Sequence, residues 1–263
     1  MRKKIRIILK YLQHFFISKS IHAIHGPFIY NFLNSILREH SENIENIENI
    51  EKLRKDLLID NRIINILDFG AGSNINKNPQ RSIKDIAKNS AKNKKCGKIL
   101  YNITKYFQPK NMLELGTSLG ISSTYIAQGN SNGKLYTFEG CPATAEIAKE
   151  NFLKTNTDNI EIIVGDFKKT LRHELKKIKQ LDFIFIDGDH QKDATISYFK
   201  NCLNYSNDKS IIVFDDIYWS KGMEDAWDYI KQHNRTTVTI DFFFLGIVFI
   251  NNELSKEHFK IRI

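Results

Sequence analysis

Residues 111–120 read Asn111-Met112-Leu113-Glu114-Leu115-Gly116-Thr117-Ser118-Leu119-Gly120. Residues 112–115 have the apolar density of a short buried strand. Gly116 and Gly120 bracket a tight turn, and 121–128 continue as a helix. Strand, turn and helix start together make a nucleotide-binding corner. Glycine lets the backbone approach a ligand closely, and the first helical turn offers N–H groups with no intrahelical partner. A dinucleotide fingerprint would require G-x-G-x-x-G, but Glu114 stands where the first glycine belongs. A carboxylate at that point repels a pyrophosphate and suits a cationic ligand.

Downstream of Lys98 the chain alternates regularly. Helix 99–107 leads into strand 111–115. Then come strand 134–138, helix 143–153, strand 160–164, helix 168–178, strand 181–186, helix 192–203, strand 210–214 and helix 221–233. Alternating helices and short apolar strands imply an α/β fold whose parallel sheet is covered on both faces. The last strands, 237–244 and 247–250, are separated only by Gly246, which calls for an antiparallel pair. Ligands of such sheets bind at the carboxyl ends of the strands. Those ends carry Glu139-Gly140, Asp166-Phe167, Asp187-Gly188-Asp189-His190 and Asp215-Asp216. The last two ends put up to four carboxylates at one edge. Unpaired, they would repel one another and resist ionisation. A divalent cation resolves this, and oxygen-only ligands favour Mg²⁺, with Mn²⁺ or Ca²⁺ as alternatives. The plainer reading is that Asp187 and Asp189 cap the helix near Lys192, while Asp215-Asp216 open a turn before Trp219.

The pattern E-x-G-x-x-x-G, followed by acids at the next strand ends, resembles the first motif of the class I S-adenosylmethionine (SAM)-dependent methyltransferases. The resemblance covers residues 98–263. It implies a Rossmann-like fold with a mostly parallel seven-stranded sheet that ends in an antiparallel hairpin. It also implies SAM contacts from Gly116, Thr117, Ser118, Gly120, Glu139, Gly140, Asp166, Phe167 and Asp187. Glu139 would accept the ribose hydroxyls and Asp166 the adenine amino group, with Phe167 beside the ring. Glu114 would act indirectly, on the methionine ammonium or the loop. The fourth and fifth strand ends resemble the metal-dependent O-methyltransferases, such as the catechol and caffeoyl-CoA enzymes. Those carry an Asp-Asn pair where this chain has Asp215-Asp216, and a Lys base where this chain has His190. Both departures resemble the macrolide-sugar O-methyltransferases. The implied metal ligands are Asp187, Asp215 and Asp216, with Mg²⁺ as the metal and His190 as general base. The implied acceptor is a hydroxyl of a small molecule with adjacent oxygens.

Residues 1–95 form a mainly helical extension, a lid or homodimer surface, ahead of a methyltransferase domain at 96–263. Residues 3–17 read as an amphipathic helix with Ile8, Tyr11, Leu12, Phe15 and Phe16 on one face. Such a helix could rest on an anionic membrane, but the favoured reading packs that face on the main domain or a partner chain. A second helix follows Pro27, with Phe28, Ile29, Phe32, Leu33, Ile36 and Leu37 as its stripe. His22 and His25 just before it have no acidic companion and read as structural. The Asn-Ile-Glu repeat at 41–51 reads as a solvated helix running to Leu58. Asp68-x-Gly70-x-Gly72 rivals the opening motif, but no acid-tipped strand follows it. Residues 74–81 read as polar loop and 82–95 as helix.

The 263 residues carry a net charge of +9 and 41% hydrophobic residues. The charge invites a nucleic-acid partner, but the basic residues are scattered, and no Asn/Asp-Pro-Pro-Tyr/Phe motif follows the fourth strand. An RNA or protein methyltransferase, or a non-catalytic SAM-binding module, therefore stands behind the O-methyltransferase reading. Cys96, Cys141 and Cys202 lie far apart, which suggests a reducing cytosol and no zinc site. No apolar run is long enough to span a membrane, and Arg6 and Lys10 interrupt the stretch that would make residues 1–17 a signal peptide.

Overall fold

A computed structural model of the chain describes residues 2–24, 26–38, 44–67, 79–90 and 92–263. His25 and the Asp68, Gly70 and Gly72 motif lie outside the described residues. The helices are α1 (Arg2–Ile17), α2 (Pro27–Leu37), α3 (Ile44–Leu57), α4 (Ile83–Ser90), α5 (Lys94–Phe107), α6 (Ile121–Gly129), α7 (Pro142–Lys154), α8 (Phe167–Ile178), α9 (Lys192–Leu203) and α10 (Lys221–Gln232). The strands are β1 (Ile63–Asn65), β2 (Gln80–Ser82), β3 (Asn111–Leu115), β4 (Lys134–Glu139), β5 (Ile160–Val164), β6 (Leu181–Ile186), β7 (Ser206–Asp215), β8 (Val238–Asp241), β9 (Leu245–Phe249) and β10 (Glu257–Lys260). The chain folds as two compact units, one of residues 35–177 and one of residues 1–34 with 178–263. The residues read as an N-terminal extension are divided between them.

In the unit of residues 35–177, β3, β4 and β5 run parallel in that order. The turn after β3 needs left-handed backbone. Gly116 has φ 106° and Gly120 φ 83°, and a Cβ on Gly120 would lie 2.5 Å from the Phe152 ring. Glu114 is fully buried on β3. Its carboxylate accepts hydrogen bonds from the Ser123 hydroxyl on α6 and from the Thr137 hydroxyl on β4, the latter at 2.6 Å. Burial lifts its pKa from 4.5 to about 7, against the opposing pull of these hydroxyls.

The repeat at 41–51 is not a solvated helix. Its described part, α3, buries Ile47, Ile50, Leu53 and Leu57 against Ile83, Ile86, Tyr101 and Tyr125. A three-residue period drifts around a helix, yet these four side chains stay within an arc of about 120°. Tyr125 also donates to Glu51 at 2.7 Å. The helix expected over 82–95 is broken. α4 ends at Ser90, and Asn93 caps α5 by accepting the Cys96 N–H at 2.9 Å. Part of the stretch read as polar loop forms β2, antiparallel to β1.

In the other unit the strand order is β10-β8-β9-β7-β6. β6 and β7 are parallel, whereas β9 runs antiparallel to both β7 and β8. β10 lies parallel to β8, and among the described residues it is a strand beyond the terminal antiparallel pair that the sequence leads one to expect. Gly246 does not form the hairpin turn. It lies inside β9, paired with Asp241 and Phe214, where a Cβ would strike the Trp227 ring at 2.7 Å. The turn falls instead at Phe243, with φ 76°.

α1 forms as expected but docks by its other side. Arg6 and Lys10 pair with Glu224 of α10. His14, buried, lies 3.0 Å from Asp241, whose other oxygen accepts the Tyr218 hydroxyl at 2.6 Å. The face expected to be buried is exposed, although Tyr11 meets the Phe243 ring edge-on. In α2, Ile29, Phe32, Leu33 and Ile36 are buried as expected, while Phe28 is partly exposed against Phe249.

Two outcomes follow from this packing. Ile50→Ala, read by urea unfolding, is expected to cost about 2–4 kcal/mol, since it opens a cavity in a fully buried site; a solvated α3 would show almost no change. The folded state holds the Glu114 proton to higher pH than the unfolded chain, so stability falls as pH rises from 4.5 to about 7. The fall is up to roughly 3 kcal/mol. Glu114→Gln removes it, so the stability difference between variant and wild type moves in the variant's favour between about pH 5 and about pH 8.

Candidate functional site

In the unit of residues 35–177 the expected cofactor residues other than Asp187 gather at the carboxyl ends of β3, β4 and β5. Gly116 and Thr117 donate their N–H groups to the Phe138 carbonyl at 3.0 and 3.1 Å, which folds the turn back over β4. Ser118, itself at φ 49°, donates its N–H to Glu139 at 2.8 Å. The other Glu139 oxygen accepts the Cys141 N–H at 2.9 Å. The carboxylate is thus aimed by backbone donors on both sides, with Gly140 between. Thr117 and Thr137 share a hydroxyl contact at 2.6 Å, which links the turn to the buried Glu114.

Asp166 has a second role that the simplest reading of a strand-end acid anticipates. Its carboxylate accepts the Lys168 N–H at 3.0 Å, and its carbonyl accepts from Lys169 and Thr170, so it opens α8. Phe167 packs edge-on against Phe138, with ring centroids 6.3 Å apart. This set suits SAM. Gly120 leaves no room for a side chain, Glu139 is a fixed double acceptor for vicinal hydroxyls, and an aromatic ring stands beside Asp166. Sequence reasoning did not single out Thr137, Ser123 or Cys141. The first two lie at unremarkable hydroxyl positions, and the third acts through its backbone N–H.

In the other unit the ends of β6 and β7 bring three of the predicted residues together. One ligand atom each from Asp187, His190 and Asp215 lies within 4.8 Å of the other two. His190 Nε2 is 3.8 Å from Asp187 Oδ1, and Asp215 is buried. Asp216 is not part of this group. It has φ 52°, donates its N–H to the Phe244 carbonyl at 2.8 Å and accepts the Trp219 N–H at 2.9 Å. Asp189 and His190 also have positive φ, 70° and 38°. Non-glycine residues held there carry a conformational cost that their surroundings must meet. Asp187 and Asp189 do not cap α9, whose N-cap is Gln191. Asp189 instead accepts the Tyr198 hydroxyl at 3.3 Å. Two carboxylates and an imidazole at this separation fit a hard divalent cation with one nitrogen ligand, or an oxygen-bound cation with the imidazole left for proton transfer. His22 is exposed in a short 3₁₀ turn, and no metal-binding group that includes it occurs among the described residues.

Residues 113–217 match the family described as "Methyltransferase domain". The chain is 32% identical over 127 residues to O-methyltransferase imqG of Aspergillus flavus, a match over 47% of this chain and 51% of that protein. It is 29% identical over 129 residues to a catechol O-methyltransferase of Mycobacterium tuberculosis, over 48% of this chain and 57% of that protein. The chain therefore spans little more than half the length of these relatives. The O-methyltransferase from Bacillus cereus, solved in complex with SAH, superposes with a TM-score of 0.53 at 20% identity, over 83% of this chain and 96% of that one. No helix among the described residues is long and apolar enough to cross a membrane. Residues 113–217 thus resemble a methyltransferase domain, and the fold that carries them is the Rossmann-like fold shared with solved O-methyltransferases.

Proposed function

We propose that the chain is a SAM-dependent O-methyltransferase that places a methyl group on a hydroxyl of a small molecule with adjacent oxygens, assisted by a divalent cation. The meeting of Asp187, His190 and Asp215 carries this reading. The name of one relative, a catechol O-methyltransferase, supports an acceptor with vicinal oxygens. In this reading residues 96–263 hold the chemistry, and residues 1–95 are an extension to them. The three buried cysteines, far apart in the sequence, agree with a cytosolic setting.

SAM supplies a methyl group already attached to a good leaving group, so the chain mainly has to orient the acceptor and remove its proton. Asp187 and Asp215 would hold the cation, Mg²⁺ in the first instance, which would supply Lewis acidity toward an acceptor hydroxyl beside the imidazole base. His190 takes that proton at Nε2, and Asp187, 3.8 Å away, stabilises the imidazolium that results. Glu139 fixes the ribose, with its own orientation set by the Ser118 and Cys141 N–H groups.

Mn²⁺ binding to protein saturated with S-adenosylhomocysteine, followed by electron paramagnetic resonance, tests the metal. One site is expected, lost in the Asp215→Ala/Asp216→Ala variant while S-adenosylhomocysteine affinity is kept. Absence of binding in the wild type would remove the cation from the reaction. His190→Ala separates base from ligand. As a base it leaves Mn²⁺ binding intact and lowers kcat toward a catechol by about 10²–10⁴-fold; as a ligand it weakens Mn²⁺ binding directly. Glu139→Ala is expected to weaken S-adenosylhomocysteine binding by about tenfold or more in calorimetry, as befits loss of charge-assisted hydrogen bonds. Unchanged affinity would remove Glu139 from the cofactor site.

A further inference from the structure

α1 presents to solvent the side that an amphipathic helix normally buries. Its docked stripe is polar. Arg6, Lys10 and His14, spaced four residues apart, meet Glu224 and Asp241 of the same unit. On the opposite side Ile5, Ile8, Leu9, Leu12 and Phe16 fall within an arc of about 100°. All five are exposed, Leu9 at 61% and Phe16 at 79%. A continuous apolar stripe of this kind marks an interaction surface, unlike apolar residues scattered singly.

The charges around the stripe select the partner. α1 contains no Asp or Glu, and its sequence opens Arg2-Lys3-Lys4. At its other end Lys19 is exposed, and the Arg262 guanidinium lies over the Phe15 ring at 5.5 Å. A second copy of the chain, also at +9, would bring basic ends together with no acid on the helix to answer them. An anionic bilayer answers both features, taking the apolar side chains at the acyl boundary and the basic ends among the headgroups. In a free interfacial helix the polar face looks to water. Here Glu224 and Asp241 take that face, so the protein occupies the water side and holds the helix with its apolar stripe outward. We propose that α1 is a peripheral anchor that seats its unit on an anionic lipid surface through Ile8, Leu9, Leu12 and Phe16.

Co-sedimentation of the full chain with vesicles tests this. Wild type is expected to pellet with vesicles of phosphatidylcholine mixed with phosphatidylglycerol and to stay in solution with phosphatidylcholine alone. Added salt should weaken the binding, because each basic residue near the surface strengthens it by about fivefold. The Ile8→Ser/Leu12→Ser/Phe16→Ser variant should bind about tenfold or more weakly, since a single apolar anchor gives only marginal partitioning. These side chains are exposed, so its thermal unfolding should match wild type. A wild type that binds neither vesicle, or a variant that binds as well as wild type, overturns the proposal. A wild-type dimer by light scattering that the variant turns into a monomer, with no vesicle binding, overturns it in favour of a second copy.

Discussion

A carboxylate with no solvent exposure is the constraint around which the methyltransferase corner is built. Glu114 sits on β3, and its hydrogen bonds come from β4 and α6. An unsatisfied acid there would be costly. The two hydroxyls that bond its Oε2 tie the strand before the glycine turn to both the helix after it and the neighbouring strand. Thr117 joins the same network through Thr137. The turn is then closed over β4 by two N–H groups on one carbonyl, and Ser118 reaches Glu139. A polar group that would weaken an ordinary core here specifies the shape of a binding loop.

Electrostatics has a different part in the other unit. α1 adheres through charged and polar contacts, with Arg6, Lys10 and His14 answered by Glu224, Asp241 and, through Asp241, Tyr218. Burial holds the Asp241 carboxyl toward higher pKa, but the hydrogen bonds from His14 and Tyr218 outweigh it, so the group stays ionised below the ordinary carboxylate range. Tyr218 moves the opposite way, pushed up by burial and by the Asp241 charge. Each partner thus stabilises the state that the other needs. Tyr218 follows Asp216 by two residues and stacks on Phe243 with ring centroids 4.9 Å apart. The contact that docks α1 therefore also packs the loop that leaves β7 with Asp215 and Asp216.

The strand ends of β6 and β7 show how strain and chemistry coincide. Asp189, His190 and Asp216 all adopt left-handed backbone without being glycine. Such conformations persist where the surroundings over-determine them. Asp187, His190 and Asp215 come together there as an acidic cluster that does not serve to cap α9. Gly246, on the strand beside β7, is kept small by the Trp227 ring, which lets α10 lie close to the sheet.

The sequence by itself determined the alternation of helices and short strands from Lys98 onward, and with it which acids fall at strand ends. Burial on both faces of a parallel sheet leaves a continuous apolar run that is legible without neighbours. The glycine turn was legible for the same local reason, since positive φ selects the residue. Tertiary structure alone decided what depended on a partner. β2 and β10, Gln-Arg-Ser and Glu-His-Phe-Lys, have no apolar signature and exist because another strand offers its edge. The Asn-Ile-Glu repeat reads as solvated until α4, α5 and α6 supply a surface for Ile47, Ile50 and Leu53. Gly246 reads as a turn until Trp227 shows that the missing side chain makes room. The amphipathic pattern of α1 was plain in the sequence. Which face it would bury was set by Glu224 and Asp241, more than 200 residues away, because periodicity defines a helix's faces and only a packed neighbour chooses between them.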